Sequence, residues 1–193
     1  MVGGGWWGKI TDMSTKTLVT ADDLELMPDD DSVQIELDEG ELITMPLAGW
    51  DHGDRENHIA FLLTLHVREH QLGKVFTGDT GFRLSDDTVR APDVAFVRKE
   101  RVESIRSKGF AKGVPDLAVE IFSPSDNVRQ LMRKVKQYFA AGCHTVWIVY
   151  PERREINVLE ASGADRLLTA SDTIDAPDLL PGFSVPVAEL FEE

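Results

Sequence analysis

The stretch "PDLAVEIFSPSDNVRQLMRKVKQYFAAGCHTVWIVY", residues 115–150, constrains the fold more than any other part of the chain. Residues 117–122 and 145–150 are short apolar runs rich in Val, Ile, Leu and aromatic residues. Turn residues bound both, as expected of buried strands. Between them Val128, Leu131, Met132, Val135 and Phe139 recur at helical spacing and give the intervening helix one apolar stripe. Ser123 reads as its N-cap, Pro124 as N1 and Asp126 as the reciprocal N3 partner. Gly142 falls where a C′ glycine closes a helix. Strand, helix and strand with tight connections form a βαβ unit, so the two strands should run parallel. One residue breaks this pattern: the carboxylate of Glu120 lies inside the first strand. Burying an unpaired carboxylate is costly, so Glu120 needs a partner.

The rest of the chain surrounds this unit. Thr20 and Asp23 have the spacing of a capping box and start a helix. Residues 34–43 read as two short strands around an Asp-Glu-Gly turn. Residues 52–70 read as a long helix that Gly73 ends. Residues 74–84 and 88–98 read as a strand pair joined through Ser85, Asp86 and Asp87. A charged helix and loop should occupy 99–114, and a further strand 154–160. The tail, with "LPGF" and a turn at 187–191, should pack over an edge. The 193 residues suit one domain. We place it at 17–193, with residues 1–16 as a flexible extension, because "MVGGGWWGKITDM" lacks the apolar core of a secretory signal. Cys143 is the one cysteine. An internal disulfide is therefore excluded, and a reducing cytoplasmic location fits. No apolar run approaches the roughly 20 residues of a membrane helix.

The net charge of −14 argues against indiscriminate nucleic-acid binding by the chain as a whole. Its distribution is uneven. Residues 98–154 hold 12 Lys/Arg against 6 Asp/Glu, a local +6. This is either a basic face for an anionic partner or a solvated basic face beside acidic loops.

Two strands carry one inward-looking acid each. Period-two alternation puts Asp93 on one face with Ala95, and Glu120 on one face with Ala118. Small neighbours leave room for an ion. Two carboxylates on adjacent strands repel, and a divalent cation such as Mg²⁺ relieves that repulsion. Spacing alone leaves a second reading open, in which each acid caps a strand end or pairs with an arginine such as Arg90. The helix supplies cations at both borders of its stripe, Lys134 and Lys136. Glu120 lies roughly 10 Å back along its strand from the turn. Lys134 lies roughly 15 Å back along the returning helix. Lys136 is level with it, and periodicity does not choose between them. A competing motif, His66-x-x-Glu69-His70, fits an inverted zinc-protease helix. It lacks a third ligand and ends almost at once at Gly73, so helix-end histidines near the negative end of the dipole are the better reading.

Taken together, "APDVAF", "PDLAVEIFSPSD", "KVKQYFAAGCHTVWIVYPE" and the closing "LPGF" resemble the Uma-type family of restriction endonucleases, within the PD-(D/E)XK nuclease superfamily. The resemblance spans residues 18–191. It implies an α/β (α+β) fold with a restriction-endonuclease-like core, a mixed central sheet flanked by helices. It implies metal-dependent hydrolysis of DNA, with Mg²⁺ or Mn²⁺ held by Asp93, Glu120 and the main-chain carbonyl of Ile121. The superfamily's in-line lysine would fall at Phe122, which cannot serve. The resemblance moves that role onto the following helix, at Lys134. It also suggests two secondary candidates, Glu36 in the early hairpin and His52 at the start of the long helix. Arg129 and Arg133 would contact DNA phosphates, and a homodimer is implied by analogy. The alternative is a catalytically inactive nuclease fold kept as a nucleic-acid or protein-binding module.

Overall fold

The computed structural model describes residues 18–28, 33–123 and 126–192. The expected N-terminal extension lies outside these, as do Pro124 and Ser125 of the expected helix cap. The elements, in order, are α1 (Ala21–Glu25), β1 (Val33–Asp38), β2 (Glu41–Pro46), α2 (Trp50–Glu69), β3 (Gly73–Thr77), β4 (Phe82–Ser85), β5 (Thr88–Arg90), β6 (Val94–Arg98), α3 (Lys99–Ile105) and β7 (Ala111–Lys112). There follow β8 (Leu117–Ile121), α4 (Val128–Ala140), β9 (Thr145–Tyr150), β10 (Glu155–Glu160), β11 (Asp165–Leu168), β12 (Thr173–Asp175) and β13 (Ser184–Pro186), then a short 3₁₀ turn over Val187–Phe191.

The main sheet has the order β11-β10-β9-β8-β6-β3. It is mixed: β8 and β9 are parallel, and the other neighbours are antiparallel. The βαβ unit is therefore present as expected. Alternation divides β8 between two cores. Leu117, Val119 and Ile121 pack with Ile59, Leu63 and Val67 of α2 and with Leu180, Val187 and Leu190 of the tail. Ala118 packs with Leu131, Val135 and Tyr138 of α4. Both faces are covered, which is why all five residues of β8 are buried. Truncating Leu63 or Leu117 to Ala should cost about 2–5 kcal/mol.

A second sheet, β2-β1-β5-β4-β7, carries the early hairpin. Asp38 pairs with Glu41, leaving Glu39 and Gly40 as a two-residue loop with φ of 50° and 82°. Positive φ at both positions matches a hairpin turn of type I′. The capping box at α1 is complete: Thr20 Oγ1 accepts from the Asp23 N–H, and the Asp23 carboxylate accepts from the Thr20 N–H.

Two expectations need correction. The strand pair 74–84/88–98 is not one ladder. Its outer part, β3 with β6, belongs to the main sheet, and its tip, β4 with β5, belongs to the second sheet. Pro92, which has no N–H to give a ladder, lies where the chain crosses between sheets. Helix α4 also starts later than Ser123. Asp126 accepts from the Ser123 N–H (2.7 Å) and donates its own N–H to the Ser123 carbonyl (2.9 Å), which closes a turn. Asn127 is the cap, its side chain accepting from the Arg129 N–H at 2.9 Å. The later start makes Lys134 the seventh helical residue, roughly 10 Å from the turn and level with Glu120.

Candidate functional site

Side chains from β8, β1 and the middle of α4 meet around Glu120, which is only 6% exposed. Its Oε2 accepts from Lys134 Nζ at 2.9 Å, and its Oε1 accepts from the Tyr138 hydroxyl at 2.6 Å. Lys134 and Tyr138 are four residues apart on α4, so one helix face delivers both donors. Lys136 is exposed. The Lys134 ammonium also meets Glu36 Oε1 at 3.1 Å. Glu36 in turn accepts from the Ala91 N–H (3.0 Å) and from Arg90 NH1 (2.9 Å). Arg90, itself buried, extends the network to Asp38 (2.8 Å) and to Gln137 (2.9 Å). Arg90 thus serves the acids of β1 rather than Asp93 or Glu120.

Asp93 stands one residue before β6, where the ladder ends at the Val94–Val119 pair. The register, continued by one residue, sets it opposite Glu120. Alternation suggested that it shares the Ala95 face. Outside the ladder that rule lapses, and the carboxylate bridges two elements instead. Its Oδ2 accepts from the Ile121 N–H at 2.6 Å, and its Oδ1 lies 3.2 Å from His52 Nε2 on α2. Glu56, one helical turn after His52, accepts from the Gly78 N–H at 3.0 Å. One ligand atom from each of His52, Glu56 and Asp93 lies within 4.8 Å of the other two, so these three could hold a cation.

The electrostatics follow from this crowding. Burial pushes Glu120 up to about 7, with Asp93 and Glu36 adding to the push and Lys134 opposing it. Burial alone would lower Lys134, yet Glu120, Glu36 and Asp93 outweigh it and hold the ammonium above its usual range. The hydrogen bond to Asp93 raises His52. Burial raises Glu56, and Asp93 adds to that. All four shifts favour added positive charge at this place.

The other expected residues lie as follows. Arg133 is engaged by Asp38 (3.1 Å) and Glu39 (2.8 Å) at the rim, while Arg129 is exposed. Phe122 packs beside Tyr150 just beyond β8. Among the helix-end histidines, His66 Nε2 lies 3.1 Å from the Pro181 carbonyl, and its ring stacks on His70. Two participants escaped the sequence reading. Glu56 looks like any acid on a helix surface, although its i,i+4 spacing from His52 was a usable signal. Tyr138 was visible as a motif residue, but not as the donor to Glu120.

The family model described as "Uma2: Putative restriction endonuclease" matches residues 21–188. The chain belongs to the Uma2 family. Among curated proteins none matches. A crystal structure described as a "putative nuclease belonging to DUF820", from Anabaena variabilis ATCC 29413, superposes with a TM-score of 0.76 at 17% identity. It covers 90% of this Uma2 chain and 97% of its own. The likeness shows that the two share a restriction-endonuclease-like fold. Among the described residues of this Uma2 member, no helix is long and apolar enough to cross a membrane.

Proposed function

We propose that this Uma2 protein is a metal-dependent endonuclease that hydrolyses DNA phosphodiester bonds. The observation that carries the reading is the Glu120–Lys134 pair beside Asp93. Two acids and an ammonium from separate elements converge at the end of the parallel strand pair. Asp93, Glu120 and the Ile121 carbonyl are the proposed ligands of Mg²⁺ or Mn²⁺, and the excess of carboxylates fits a cation. Such an ion, when bound, supplies a water of lowered pKa and offsets charge building on the phosphoryl group. Lys134 orients the attacking water and faces the phosphate oxygens. Tyr138 fixes the second oxygen of Glu120, and Glu36 with Arg90 keeps Lys134 from swinging away. His52 Nε2 lies on the other face of this site, 3.2 Å from Asp93 Oδ1. The water oxygen bonds to phosphorus, one ester P–O bond breaks, and the water's proton ends on the leaving oxygen through solvent. Arg129, exposed at the start of α4, is the proposed phosphate contact, with Arg133 behind it.

A second reading, a nuclease fold kept for binding without catalysis, draws on the net charge of −14 and on Phe122 at the in-line lysine position. Incubation of supercoiled plasmid and of single-stranded DNA with Mg²⁺ or Mn²⁺ separates the two. Cleavage by the wild type that is lost in Asp93→Ala/Glu120→Ala supports the enzyme. Absence of cleavage on every DNA form, or equal cleavage by the double variant, removes it.

A further inference from the structure

The geometry points to a mixed nitrogen–oxygen cation site formed by His52, Glu56 and Asp93, which selects a divalent transition-metal ion, Mn²⁺ over Mg²⁺. The inference deepens the nuclease reading, since it shares Asp93 with it, but it concerns binding and is tested as binding.

The three residues come from two elements. His52 and Glu56 are an i,i+4 pair in the first turns of α2, so their side chains project from one face. Asp93 reaches that face from the end of the β6 ladder, with Oδ1 3.2 Å from His52 Nε2. All three are half-buried. Their ligand atoms lie within 4.8 Å of one another. Trans ligands on an ion with bonds of about 2.1 Å are about 4.2 Å apart. Cis ligands on such an ion are about 3.0 Å apart, so rotamer adjustments bring the three atoms onto one ion. The remaining atoms are already oriented. The Ile121 N–H fixes Asp93 Oδ2, and the Gly78 N–H fixes one oxygen of Glu56. Main-chain donors of this kind aim carboxylates at an ion without competing for every lone pair.

Glu120 is placed differently. Each of its oxygens already accepts a short hydrogen bond, one from Lys134 and one from Tyr138. On its α2 side Asp93 meets His52 and Glu56, so the ion held there is distinct from one that Asp93 shares with Glu120. An imidazole ligand then sets the selectivity. Mg²⁺ takes oxygen ligands and retains its waters, whereas an imidazole nitrogen favours first-row transition ions, of which Mn²⁺ is the weakest binder yet still accepts nitrogen more readily than Mg²⁺. The competing account is mechanical: the same three residues form a clasp that pins the start of α2 to the end of β6.

Mn²⁺ binding to the full chain, followed by electron paramagnetic resonance with Mg²⁺ as competitor, decides between them. Glu56→Gln is the informative variant, because glutamine can still accept from the Gly78 N–H and keep the fold. The wild type should bind Mn²⁺ at least 10-fold more tightly than Mg²⁺. Glu56→Gln should weaken Mn²⁺ at least 10-fold, and His52→Ala should bring the Mn²⁺/Mg²⁺ ratio near one. Circular dichroism of each variant confirms folding. Unchanged Mn²⁺ affinity in both variants, or no Mn²⁺ bound by the wild type, overturns the site. Variant-sensitive Mn²⁺ binding without cleavage would leave this site standing and remove the nuclease reading instead.

Discussion

Asp116 lies just before β8 and Glu120 near the end of it, both are buried, and their surroundings are opposite in kind. Asp116 is balanced. Arg101 meets its carboxylate at 2.9 Å, the Arg98 N–H donates to it at 2.9 Å, and the Arg98 guanidinium lies at 3.8 Å. Glu120 has Lys134 and Tyr138, but it shares the lysine with Glu36 and sits near Asp93. At one end of β8 the cations answer the acid. At the other, carboxylates outnumber the cations that reach them. A fold has no need of the second arrangement, because a paired acid or a hydrophobic residue would be at least as stable there. An unbalanced buried acid is better explained by a ligand that completes the charge.

The sharpest way to break this contrast is to remove each acid in turn. Asp116→Ala leaves the Arg98 N–H without its acceptor and two partly exposed arginines without their acid, and should cost about 1–3 kcal/mol in urea unfolding. Glu120→Gln should cost less than about 1 kcal/mol, since it also relieves repulsion, while cleavage falls about 10³-fold. Equal destabilisation by both variants would erase the distinction between the two ends. Next in size is Lys134→Met, expected to lower cleavage about 10²-fold, with Lys136→Met within about twofold of wild type. Binding supplies a test of similar size. Mn²⁺ at 100 times its dissociation constant should stabilise the wild type by about 2.7 kcal/mol and leave Asp93→Asn unmoved in thermal denaturation.

A smaller effect concerns pH. The folded state raises Glu120 to about 7, from a usual value of 4.5. The folded chain thus holds a proton that the unfolded chain releases. In chelator, this contribution to stability is fully present below about pH 4.5 and is lost as pH rises through about 7. The urea midpoint of Glu120→Gln should lack that decline. The smallest effect is at the Asp116 end, where Cys143 donates to the Thr145 carbonyl and burial pushes its thiol up to about 12. Native protein at pH 8 should label negligibly with a thiol reagent, and denaturant should release the reaction. Fast native labelling would mean that this end opens more readily than its pairing suggests.

Much of the fold was legible because its signals are local. The βαβ unit rests on two apolar runs and one amphipathic stripe, although Val128 and Met132 of that stripe are exposed and Tyr138 is buried with Leu131 and Val135. The early hairpin rests on Glu39 and Gly40, and the first helix on Thr20 and Asp23. The approach of Lys134 to Glu120 could be argued from rise per residue alone, since 14 positions and one turn separate them. Its tie with Lys136 could not be broken that way, because the two borders of a helical stripe look alike in sequence. What stayed hidden depends on sheet register across long stretches. Arg90 was a plausible partner for Asp93 or Glu120, yet the small sheet brings it to Glu36 and Asp38. The crossing of the hairpin from one sheet to the other could not be read from alternation, which continues smoothly through it. The displaced start of α4 has a different cause: Ser123 and Asp126 carry capping chemistry that the chain uses to close a turn.

The ion pair between Glu36 and Lys134 joins positions 98 apart in the chain, and Asp93 lies between them. Contacts of such separation form late, because a large loop must close before they contribute. During synthesis the hairpin carrying Glu36 emerges well before α4. Until α4 has left the ribosome, Glu120 has neither its lysine nor its tyrosine. The cluster therefore reports completion of the domain, and a nascent or C-terminally truncated chain that ends before α4 would carry its acids without the groups that organise them.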